Sequence, residues 1–174
     1  MAPEPQEIIS EITENPVITV FVPIWHFVAA VFWGVLAGSL AILIGFGVPP
    51  ITPIESLLSD LWFTGFIVTV FTFLGMLMIG VPVTWVLYLL NVEKTAAYAA
   101  LGAIAGLTVL PLLFADPASL ASDLFPAILP GGLAGLATAY RWGRWRERVA
   151  KAREAERESL AAQRRTNPIH ELIH

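Results

Sequence analysis

The chain contains no cysteine. Disulfides, thiolate nucleophiles, iron–sulfur clusters and zinc–thiolate sites are therefore outside its chemistry. Charge is also scarce: Asp, Glu, Lys and Arg make up 14% of 174 residues, against about 25% in an ordinary soluble domain. Histidine occurs three times, as His26, His170 and His174. Basic residues are missing from most of the length. Of ten Lys and Arg, nine follow Tyr140 and the other is Lys94. The stretch before the first apolar run carries Glu4, Glu7, Glu11 and Glu14 and no basic residue. A cleaved signal peptide needs a basic start, so none is expected there.

What fills the chain is apolar side chains, 56% of residues, with a mean hydropathy of +0.72. The longest uncharged run is Leu61 to Leu90. As one straight helix it would reach roughly 45 Å at about 1.5 Å per residue, more than a hydrocarbon core about 30 Å thick requires. It is predicted to span a membrane and to kink at Gly80-Val81-Pro82, because Pro82 cannot donate to the residue four back. Three further runs have spanning character, giving four spans at about 24–48, 61–90, 95–114 and 124–140.

The intervening pieces are short. Ile8, Ile9 and Ile12 share a helical face opposite Glu7, Glu11 and Glu14, which predicts a short amphipathic helix over 6–14. Thr52, Pro53 and Glu55 read as the cap, first turn and capping box of a short surface helix over 52–60, after which Asp60 would cap the second span. Asp116-Pro117 starts a similar piece. Only Val92-Glu93-Lys94 separates spans two and three, which predicts an antiparallel hairpin.

Small residues recur every four positions in three spans. Gly34 and Gly38, extended by Ala30, form one ridge; Gly131 and Gly135, with Ala127 and Ala139, form another. The third span carries Gly102 and Gly106 among alanines and is expected as a buried central helix. Such rows let backbones approach closely, the usual way helices associate in lipid. Pro126, Pro130 and Gly131-Gly132 are expected to make the first half of span four irregular.

Orientation follows from charge. With four spans, Lys94 and the basic tail fall on one side, while loops 49–60 and 115–123 hold Glu55, Asp60, Asp116 and Asp123 and no basic residue. The positive-inside rule then puts both termini in the cytoplasm. The glycine- and alanine-rich spans resemble those of many bacterial inner-membrane proteins, and a multi-pass protein of that membrane is the expectation. The chain divides into an acidic segment 1–23, a bundle 24–140 and a charged cytoplasmic helix and tail 141–174.

Candidate chemistry is thin. His170-Glu171-Leu172-Ile173-His174 matches H-E-x-x-H, which on a stable helix sets two histidines on one face for zinc. Here it is one turn long, follows Pro168 and lacks a third ligand; adventitious metal binding by His170 and His174 is the most it predicts. His26 is read as an interfacial histidine beside Trp25, since a bis-histidine haem site needs a second histidine on a facing span. The four spans contain no Asp, Glu, Lys or Arg. Coupled transporters place such residues at membrane depth, so active transport is disfavoured. Thr64, Thr69, Thr72, Thr84 and Thr108 can bond back to their own helices.

The remaining candidate is the segment after Tyr140. Trp142, Trp145, Val149 and Ala152 form an apolar stripe among Arg141, Arg144, Arg146, Arg148 and Lys151. Basic residues there attract anionic headgroups at about 1 kcal/mol each, and the stripe suits a partner. Interspersed glutamates disfavour nucleic acid. The sequence therefore predicts an all-α, polytopic, non-enzymatic membrane protein without a cofactor. Its expected role is as an accessory, assembly or scaffold subunit of a larger complex or homo-oligomer. A passive, holin-like pore is the alternative, and a metalloenzyme built on the terminal motif a remote one.

Overall fold

The structure is a computed structural model. It describes the backbone of residues 16–46, 54–114 and 120–166, and side chains within 21–44, 62–109 and 128–163 together with Ser59. The amphipathic segment 6–14, the Asp116-Pro117 start and the terminal histidine motif lie outside the described residues.

Every described element is helical. Helix α1 is Pro16–Phe46, opening on a proline, which suits a first turn. Helix α2 is Ile54–Gly75, followed without a break by a π-turn, Met76–Gly80, and helix α3, Val81–Leu89. Helix α4 is Thr95–Phe114 and helix α5 is Leu120–Thr166.

Several local expectations change. Residues 54–60 do not form a separate surface helix; they are the first turns of α2, so Asp60 lies within a helix and not at its start. The prolines and glycines of 126–132 leave α5 unbroken. Where the sequence predicts a kink at Gly80-Val81-Pro82, the helix carries a π-turn just upstream. The Val81 N–H reaches back five residues to the Met76 carbonyl, and the widened turn delivers Pro82 into the first turn of α3. A proline ring there no longer has to share a tight α-turn with the carbonyl four back.

The α3–α4 connection is a Schellman cap. Val92 N–H donates to Leu87 O (3.0 Å) and Asn91 N–H to Tyr88 O (3.1 Å). Asn91 takes the left-handed conformation, φ 53°, that this cap requires. The turn is as tight as predicted, but the rods it joins do not pack as a hairpin. They splay, and a cleft opens between them.

Helix α5, not α4, is the central element. It packs along α4 on one side and α1 on another, while α2 leans chiefly on α1. Small residues do go where helices meet, but α4 presents them along one stripe and leaves Leu101, Ile104 and Leu107 exposed. The buried core is thin, with Ala30, Val31, Met76, Leu87, Tyr98 and Trp142 as its centre.

Among the described residues two helices are long and apolar enough to cross a membrane, Phe21–Ile44 and Trp62–Leu89. Their most apolar windows are only 28% and 11% buried, unlike the core helix of a soluble domain. Trp62 is 81% exposed, Met78 76% and Ile44 71%. An apolar surface this continuous needs a cover other than water.

Candidate functional site: a clamp at the helix ends and the cleft beside it

The glycine rows of α4 and α5 face one another. A methyl built on Gly102 would strike the Gly135 carbonyl and the Ala139 methyl, and one on Gly106 would strike the Gly131 carbonyl. Gly135 in turn lies against the Gly102 carbonyl. Gly143, one step further along the same four-residue spacing, receives the Tyr98 ring; extending the ridge past Ala139 would have revealed it. On α1, a methyl built on Gly34 would strike Thr138 and Thr72, and one on Gly38 would come within 3.0 Å of Ala134 and of Val68. Gly34, Gly38, Gly102, Gly106 and Gly135 thus lie close against other helices, with the Gly131 carbonyl against Gly106.

The 91–94 turn is fastened to α5 by two carboxylates. Glu93, only 8% exposed, pairs with Arg146, whose Nε donates to Oε1 at 2.8 Å and whose Nη2 donates to the same oxygen. Tyr98 OH donates to that oxygen as well, at 3.3 Å. Next to it, Glu147 Oε2 accepts from the backbone N–H of Thr95 (2.9 Å) and from its hydroxyl (2.5 Å). Glu147 thus caps the N-terminus of α4 from another helix, satisfying a donor that has no partner within α4. The expected Glu147–Lys151 pair forms too, at 2.8 Å. These bonds to Lys151 and Thr95 hold the Glu147 carboxyl at about 2, well below its ordinary 4.5.

An aromatic seam adjoins the clamp. His26 stacks on Trp145 with ring centroids 5.1 Å apart, so its neighbour is Trp145 and not the exposed Trp25. Trp142 lies 4.7 Å from Trp145 and meets Phe27 edge to face. Its Nε1–H donates to Thr84 Oγ1 at 2.9 Å, tying α5 to α3. Thr84 also bonds back to the Gly80 carbonyl, as Thr69 does to Gly65 and Thr108 to Ile104.

The post-Tyr140 stripe consequently turns inward. Trp142, Trp145 and Arg146, expected to face lipid or a partner, are spent on contacts within the chain, because α5 continues as a helix with that face toward α1 and α3. Arg141 is half-buried, its Nε enclosed without a hydrogen-bond partner. Arg144 and Arg148 remain exposed, the former over the Tyr140 ring at 5.9 Å. Thr84, Glu93, Thr95, Tyr98 and Glu147 were not legible as a group. They are scattered between positions 84 and 147, and the helix crossings unite them.

Two hollows flank Trp142. The larger, about 550 Å³, is the cleft between α2–α3 and the α4–α5 pair. Its walls are apolar save for the hydroxyls of Thr72, Tyr98 and Thr138, and the π-turn residues Met76, Ile79 and Gly80 form part of one side. The smaller, about 300 Å³, is bounded by Thr84, Trp85, Tyr88, Trp142, Arg146 and Arg153. Among the described residues no three His, Asp or Glu side chains gather as a metal site.

No protein-family model matches the chain, and no curated protein and no solved structure shows significant similarity to it.

Proposed function

We propose that this chain is a non-enzymatic, four-span protein of the bacterial inner membrane with both termini cytoplasmic. It serves as an accessory, assembly or scaffold subunit of a larger membrane complex or homo-oligomer. One observation carries this reading: α5 is a single helix of 47 residues, about 70 Å long at about 1.5 Å per residue. It is clamped at Arg146 and Glu147 to the turn between α3 and α4. Beyond the clamp, residues 153–163 are exposed on every face. A rigid, charged helix held out from an apolar bundle is suited to being grasped by a partner.

The test is affinity capture of the tagged full-length protein from its native membrane after mild detergent extraction. Stoichiometric recovery of a second membrane protein, or a self-assembled oligomer, is expected, and truncation after Ala150 should lose that partner without losing membrane insertion. A solitary monomer would defeat the proposal. The pore alternative draws no support from the cleft, whose walls offer water few hydrogen bonds.

A further inference from the structure

We propose that the cleft holds one acyl chain of an anionic phospholipid, whose headgroup phosphate sits in the adjoining hollow against Arg153; this rests on the four-span reading above. In that reading the cleft lies at hydrocarbon depth, where an apolar cavity stays dry and lipid is the solvent.

Shape points to a chain. Along α2, the π-turn and α3 the cleft runs from Ile67 to Val83, about 24 Å at about 1.5 Å per residue. A volume of about 550 Å³ drawn out over that length is a long, narrow groove that one extended hydrocarbon chain can follow.

Charge supplies the other half. In lipid an acyl chain gains little by leaving bulk hydrocarbon for an apolar cleft, so selectivity has to come from the headgroup. Arg146 is committed to Glu93. Arg153 has no carboxylate within ion-pair distance among the described residues and lies over the Tyr88 ring at 5.7 Å, at the border of the smaller hollow. Trp85 and Tyr88 border the same hollow, and Trp142 borders both. Indole and phenol rings with a polar edge favour the level where chain meets headgroup. Cleft, aromatic level and unpaired guanidinium thus follow one another in the order of a phospholipid's own parts.

The experiment uses the full-length protein, delipidated in detergent and re-exposed to mixed micelles containing phosphatidylglycerol or phosphatidylcholine, with retained lipid counted by native mass spectrometry. One phosphatidylglycerol per chain is expected, in preference to phosphatidylcholine. R153Q should weaken that retention about fivefold, the equivalent of about 1 kcal/mol per basic residue. R148Q, removing an exposed arginine outside the hollow, should not. Ala105→Phe, which fills the cleft, should reduce retention of both lipids. Equal retention of the two lipids would overturn the proposal, as would R148Q matching R153Q, which is the mark of diffuse attraction. Disulfide crosslinking of two chains through Ile79→Cys would overturn it in favour of a second copy in the cleft. Those results leave the membrane reading standing. Recovery of the protein in buffer without detergent would sink both.

Discussion

Glu93 and Arg146 show how much one buried pair can carry. The Glu93 side chain is 5% exposed and that of Arg146 13%, so removing either partner strands a charge that water hardly reaches. Arg146→Ala is expected to cost on the order of 3 kcal/mol, whereas replacing both, Glu93→Gln with Arg146→Met, should recover most of the loss. Thermal unfolding followed by circular dichroism in detergent reads both. An unchanged midpoint in the single variant would mean the clamp depends on other contacts. Glu147 differs: its side chain is 28% exposed, and its effect shows in pH. Lys151 and Thr95 bind its charged form, holding its carboxyl at about 2 against an ordinary 4.5. A depressed carboxyl stabilises the fold fully above its unfolded value, and that stabilisation drains away as pH falls through about 4.5 toward 2. The midpoint of the native protein should decline over that window, and Glu147→Gln should flatten its share of the decline. Parallel curves would exclude Glu147 as a cap on α4.

At the scale of elements the glycines divide into two kinds. Gly102 lies on the backbone of Gly135, but Gly65 has open space where a Cβ would stand. Gly102→Leu is therefore expected to force α4 off α5, costing on the order of 3 kcal/mol or more. Gly65→Ala should be neutral or gain up to about 1 kcal/mol from helix propensity. Unfolding midpoints of the two variants decide; similar losses in both would contradict the seam. The four-residue spacing of small side chains was readable from sequence because it is a property of one helix. Which helix stood at the centre was not. The alanine content of 95–114 suggested α4, whereas α5 carries two separate faces, Gly131 and Gly135 toward α4 and Ala134 and Thr138 toward α1. Proline gave a similar half-answer. Pro82 announced a disturbance in the long span, but its form, a π-turn at Met76–Gly80, depends on neighbours the local sequence does not name. Asn91 is the opposite case: a residue tolerant of positive φ just past a helix end specifies its own cap.

For the molecule as a whole, the placement of charge predicts the orientation. Reporter fusions after Thr166 and within 91–94 should both report the cytoplasm, and fusions within 115–119 the opposite side. A carboxyl end on the outer face would reverse every assignment of sides made above. Because the chain lacks cysteine, pairs of introduced cysteines can map the α4–α5 seam without background. The unbroken course of α5 from Leu120 to Thr166 has a mechanical meaning as well. A rod with no joint where it leaves the bundle transmits leverage, so a pull on residues 153–163 tilts Gly131 and Gly135 together with them. Whatever grips the far end of this helix therefore has a handle on how closely α4 is held.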